Sequence, residues 1–164
     1  MDFAQWLTEN PAGELFYTFL IAMLPVVELR GAIPAGVGML GRSALPSVYL
    51  AAVLGNMLPV PFIIVYIRRI FQWLRRRSRR LDGLVTRLET KAHLKGRMVT
   101  RYKYLGLCIL VAIPLPGTGA WTGALVAAFL DMRLRSAVPA IFLGVVIAGI
   151  LVSLVTGGVI AAFF

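Results

Sequence analysis

Glu28-Leu29-Arg30-Gly31-Ala32-Ile33-Pro34 places a carboxylate and a guanidinium two residues apart inside an otherwise apolar stretch, with Pro25 just upstream. Holding a charge at membrane depth costs roughly 2.5 to 3.5 kcal/mol even on the lenient insertion scale, so an ionisable residue there is a functional hypothesis by default. Pro25, Gly31 and Pro34 break the helical pattern around the two charges. Unwound backbone is tolerated in a membrane only where protein or a water-filled cavity takes over its hydrogen bonds. The stretch therefore reads as the broken tip of a hairpin facing a cavity, with the rest of the chain as its frame.

The frame is apolar. Of 164 residues 59% are hydrophobic and 15% charged, with mean hydropathy +0.84, against a soluble norm of about 45 to 50% apolar and 25% charged. This is the composition of an integral membrane protein of one domain. Met1 to Glu14 holds three carboxylates and no Lys or Arg, so it lacks the basic region of a secretory signal. Cys108 is the only cysteine, which excludes an intrachain disulfide and a cysteine-built metal site, and its apolar surroundings predict an inert packed thiol. The net charge of +10 would suggest nucleic acid in a soluble protein, but 13 of the 17 Lys and Arg fall between Arg68 and Lys103. That clustering is a positive-inside signature; it predicts a cytoplasmic loop, a multi-pass protein of the cytoplasmic membrane and no nucleic-acid partner.

Leu15 to Val27 is an uncharged run of 13 residues, about 20 Å as a helix and short of a roughly 30 Å hydrocarbon core. Gly31 to Gly41 is a second short arm. Two half-length arms around a Gly/Pro break predict a re-entrant hairpin. Ala44 to Ile67 is uncharged over 24 residues and long enough to span, with Asn56, Pro59 and Pro61 expected to kink it. In the basic segment Leu74, Leu81, Leu84, Val85, Leu88 and Ala92 recur at helical spacing among the arginines, the pattern of an amphipathic helix on an anionic leaflet. Tyr104 to Leu130 is again uncharged but broken by Pro114, Pro116, Gly117, Gly119 and Gly123, and Ser136 to Phe164 is a final apolar run of 29 residues.

The halves repeat. Gly31-Ala32 precedes Arg42-Ser43-Ala44-Leu45-Pro46, and Gly123-Ala124 precedes Arg135-Ser136-Ala137-Val138-Pro139, at offsets of 92 and 93 residues. The expected fold is an all-α integral membrane protein of two inverted repeats. Each is a re-entrant helical hairpin plus one transmembrane helix: repeat 1 about 15–67, basic linker 68–103, repeat 2 about 104–164. Short, interrupted segments at matching positions of two halves point to a transporter's midplane site. The alternative treats Leu15 to Gly41 and Tyr104 to Leu130 as single kinked spans, giving four crossings.

Glu28 and Arg30 have two readings, a structural pair that neutralises itself or a proton-coupling carboxyl beside an anion ligand. Desolvation raises a carboxyl pKa and a neighbouring guanidinium lowers it, while the guanidinium fork suits phosphate or carboxylate. Gly31 and Pro34 shape that tip. The second tip offers Pro114, Pro116, Gly117, Thr118, Gly119, Trp121 and Thr122, with backbone N–H groups and hydroxyls for an anion, or merely a Gly119/Gly123 packing pair. Arg42 and Arg135 follow the two hairpins as snorkelling side chains or steering groups for lipid headgroups. Gly36 to Gly41 spells GxGxxG without the strand-turn-helix context it needs, and the lone His93 supports neither a catalytic triad nor a metal. No cofactor, metal site or enzymatic activity is expected.

The two tips, the basic loop between them and the chain's size together resemble the small multidrug export protein family of bacterial and archaeal membrane proteins, from about Leu15 onward. More distantly the arrangement is similar to DedA-type membrane proteins, whose paired re-entrant hairpins carry acidic and arginine residues, although no stretch matches them residue by residue. The first resemblance implies export of amphipathic small molecules; the second implies proton-coupled movement of lipid-linked phosphates. The combined expectation is a small secondary transporter, a homodimer among membrane lipids, with an amphipathic or anionic-lipid substrate. The rival is a non-transporting membrane scaffold that binds anionic lipid or a partner through its basic segment.

Overall fold

The computed structural model describes residues 10–77, 86, 90, 102, 104–115 and 117–163. The amphipathic helix expected around Leu81 to Ala92, His93 and Pro116 lie outside them. Among the described residues the chain is helical, with no strand. The helices are α1 (Pro11–Ala22), α2 (Glu28–Leu40), a 3-10 turn (Arg42–Ala44), α3 (Leu45–Met57), α4 (Pro59–Arg77), α5 (Tyr104–Ala112), α6 (Ala120–Phe129) and α7 (Leu134–Phe163).

Local chemistry sets these boundaries. Asn10 caps α1, its side chain accepting from the Ala12 N–H at 3.0 Å, and Pro11 follows where a missing N–H costs nothing. Gly41, at φ +82, ends α2. Leu58 alone separates α3 from α4, just before Pro59 and Pro61. The segments Arg42–Ile67 (mean hydropathy 2.1) and Leu134–Gly158 (2.7) are long and apolar enough to cross a membrane. By contrast α1, α2, α5 and α6 hold 12, 13, 9 and 10 residues, about 14 to 20 Å at 1.5 Å per residue, too short for that alone. The long helices carry exposed apolar stripes, Leu50, Leu54, Leu58 and Phe62 on one and Leu143, Ile147, Leu151 and Leu154 on the other. Such stripes suit lipid rather than water.

The chain forms two compact units, residues 1–58 with 145–164, and residues 59–144. Their boundaries fall within the two long apolar segments rather than at the basic linker. In the first unit α1, α2 and α3 pack on one another. Gly36 lets α2 close on its neighbours, since a Cβ there would stand 2.6 Å from Thr18 Oγ1 and 2.8 Å from Val48 Cγ1. Gly55 of α3 lies against the backbone carbonyl of Phe19. Tyr49 donates its hydroxyl to the Val146 carbonyl at 3.1 Å and covers Gly149 with its ring.

In the second unit α6 packs on α4 and α5. A Cβ on Gly144 of α7 would stand 2.7 Å from the Cys108 carbonyl oxygen and 2.7 Å from Val111 Cβ. Gly123 of α6 likewise lies against Val111 and Ile141. Small residues at contacts are how membrane helices approach closely where lipid supplies no hydrophobic drive. Each unit thus contains one short-helix hairpin and a portion of each long apolar segment.

Candidate functional site

The charged motif opens α2 rather than forming an unwound tip. The break lies upstream at Met23–Val27, where Met23 N–H bonds to Leu20 O (3.2 Å), Leu24 N–H to Ile21 O (3.0 Å) and Glu28 N–H to Leu24 O (3.0 Å). Pro25 supplies the interruption without stranding a donor of its own. Pro34 sits within α2 with its ring exposed, so the helix absorbs it.

Glu28 is 5% exposed and adopts φ +49, the left-handed region that a side chain normally avoids. Strain of that kind clusters at functional sites and persists only where surrounding structure enforces it. Arg30 is half-buried in the same first turn. Val27 provides no side-chain cap, which leaves the positive end of the helix dipole at this turn. A Cβ on Gly31 would meet the Val27 side chain, whose methyl would have to turn away.

The second loop, in the other unit, is a self-bonded turn. Thr118 Oγ1 lies 2.7 Å from Ile113 O and 2.8 Å from Leu115 O, and accepts from Leu115 N–H at 3.2 Å. Thr122 donates to Gly117 O at 3.1 Å. Gly117 (φ +77) and Gly119 (φ +137) take positive-φ backbone that side chains disfavour. Here the hydroxyls expected to face a substrate hold the turn together. Pro114 is exposed, Gly119 buried, and Trp121 and Thr122 half-buried at the start of α6. Thr118→Val is therefore expected to cost about 0.5 to 1.5 kcal/mol by removing hydrogen bonds that hold an exposed turn, with Thr118→Ser restoring most of it; thermal unfolding in nanodiscs measures both.

Arg42 and Arg135 are exposed at the starts of the two candidate spans. Their matching sequences fold differently, Arg42–Ala44 as a 3-10 turn and Arg135–Ala137 inside the first turns of α7. Among the described residues no three His, Cys, Asp or Glu side chains gather to hold a metal. One polar residue escaped the sequence reading as a site. Asn56, taken only as part of a kink, is fully buried, and its signal was being a lone amide within an uncharged run of 24 residues.

A model of the family described as "Putative small multi-drug export protein" matches residues 28–151. The chain belongs to that family. The match opens on Glu28 and takes in every candidate residue named above. Export-protein membership agrees with the two membrane-length segments and describes a transporter-type membrane protein, not an enzyme class. No curated protein and no solved structure matches the chain.

Proposed function

We propose that this small multi-drug export family member is a secondary transporter of the cytoplasmic membrane, with Glu28 carrying the coupling proton and Arg30 engaging an anionic part of the substrate. The observation that carries this reading is Glu28 itself, a carboxylate 5% exposed and backbone-strained at the uncapped start of a half-length helix. In so apolar a chain a self-neutralising lock needs no strain, whereas a group that exchanges a proton needs a held geometry. The substrate is an amphipathic small molecule or an anionic lipid, and the basic segment 68–103 faces the cytoplasm.

The re-entrant, inverted arrangement draws support from the turns. Met23–Val27 has no polar side chain and leaves Val26 92% exposed; Ile113 and Leu115 are exposed in the second loop. Water is a poor environment for such turns. Their internal hydrogen bonds also meet the requirement that backbone at membrane depth satisfy itself. That each unit holds a hairpin and part of both long segments is what two repeats of opposite direction would give. We expect impermeant thiol reagents to label a cysteine at either terminus of a Cys108→Ser protein in intact cells; protection of both ends would replace this arrangement with four full crossings.

Function is tested in proteoliposomes under an imposed pH gradient, with ethidium and fluorescent phosphatidylglycerol as probes. Gradient-dependent movement of either supports the transporter and selects its substrate class. Movement of neither, with the basic segment still binding anionic vesicles, supports the scaffold instead.

A further inference from the structure

Within the first unit two buried stripes face each other. On α2, Ala32 and Gly36 stand four residues apart and so on one side of the helix, with Glu28 opening the helix four residues earlier at φ +49; on α3, Val48, Ala52 and Asn56 keep the same spacing. All six are buried. Gly36 and Val48 meet, at the 2.8 Å noted for a Cβ on Gly36. From that contact α2 runs back to the turn at Met23–Val27, and α3 runs the same way, since Gly36 and Val48 lie beside Thr18 while Gly55 lies beside Phe19 and Ala22. Eight residues beyond that contact along α3, about 12 Å, Asn56 lies toward the end of the unit at which Glu28 opens α2.

Asn56 is 0% exposed, and neither its Oδ1 nor its Nδ2 has a hydrogen-bond partner. The backbone there adds polarity, because Pro59 has no N–H for the Gly55 carbonyl and Pro61 none for that of Met57. A structural asparagine in a helix core is ordinarily bonded to its own or a neighbouring backbone. This one has an open donor and an open acceptor.

We propose that Asn56 and Glu28 form a binding site for a hydroxylic oxygen, a ligand oxygen that accepts from the Asn56 Nδ2 and donates to Oδ1 or to the carboxylate. A ligand that only accepts or only donates would satisfy one amide atom and leave the other stranded; water and alcohols do both. The oxygen comes either from water solvating the carboxyl or from a hydroxyl on the transported molecule. The proposal rests on the transporter reading for what that oxygen does, not for its binding.

The chain's two asparagines make the test clean. With ¹⁵N-asparagine labelling of the full chain in phosphatidylethanolamine/phosphatidylglycerol nanodiscs, only Asn10 and Asn56 contribute side-chain amide signals, and Asn10→Ser, which keeps a capping hydroxyl, removes the first. Rapid magnetisation transfer from water to the Asn56 amide assigns the oxygen to water. Absence of transfer, with a shift on adding 1-octanol that its isomer heptyl methyl ether does not produce, assigns it to a substrate hydroxyl. Neither response overturns the proposal. Asn56→Leu, close in volume, is expected to keep the unfolding temperature, because the groups it removes bond the ligand oxygen and not the rest of the protein; a fall of several degrees would instead make Asn56 a structural residue. These readouts need no flux, so a positive result beside failed transport would retire the transporter and leave the site.

Discussion

Gly55→Val is expected to disrupt the first unit, lowering stability by about 3 kcal/mol or more, beyond the usual range for overpacking. The obstacle is backbone. A Cβ at Gly55 would collide with the Phe19 carbonyl oxygen, stand 2.9 Å from its carbon and 3.1 Å from Ala22 Cβ, and none of these is the yielding end of a flexible side chain. Even Gly55→Ala must push α3 off α1. Gly38 is the internal control, for it lies within α2 with nothing within 4 Å of its Cβ position. Gly38→Ala is expected to be neutral or stabilising by about 0.5 to 1 kcal/mol, the ordinary gain of removing a helix-interior glycine. Unfolding in detergent with a single denaturant series would compare them. Equal behaviour of Gly55→Ala and Gly38→Ala would mean that the α1–α3 contact is not a tight one.

Much of the architecture was legible because the bilayer constrains segment length and charge together. The uncharged runs ending at Ile67 and starting at Ser136 became the two membrane-length segments, and the Gly/Pro breaks marked where short helices replace long ones. The exact place of the first break was not legible. Glu28 and Arg30 suggested an unwound polar tip, but the turn formed at Met23–Val27, whose apolar residues carry no polar flag and whose cue was Pro25 alone. Pro34 looked like a second breaker and was absorbed, since one missing N–H within a supported helix is tolerable. The helix after Pro59 also runs to Arg77, past the end of the apolar run at Ile67, because arginine is a good helix former whatever its solvent.

The polar residues were harder to read than the apolar ones. Thr118 and Thr122 had the chemistry to bind a substrate, yet their hydroxyls lie on the carbonyls of Ile113, Leu115 and Gly117. Asn56 had the chemistry of a kink. Its burial follows from Gly55 lying on Phe19 and from the Gly36–Val48 contact, which are pairings between helices that no single-helix pattern encodes. A hydroxyl beside turn carbonyls and an amide buried without partners thus look alike in sequence, and only the folded contacts separate the two.

Glu28→Gln is expected to abolish gradient-driven transport, a loss of about tenfold or more, equivalent to at least about 1.4 kcal/mol of lost bias, while leaving the fold intact. The amide keeps the volume and hydrogen-bonding reach of the carboxyl at a position 5% exposed but cannot change charge with a proton. Only the coupling is removed. Glu28→Asp keeps the titratable group and is expected to retain pH dependence at reduced rate, whereas Arg30→Lys keeps the charge and loses the fork, so it should weaken binding of an anionic probe more than that of ethidium. The decisive comparison is flux against pH for wild type and Glu28→Gln in the same proteoliposomes, with unfolding temperatures measured alongside. A flat pH profile at unchanged stability assigns coupling to Glu28. A fall in stability of several degrees with an unaltered pH profile would make the carboxylate a structural lock and move the search for the coupling group elsewhere in the chain.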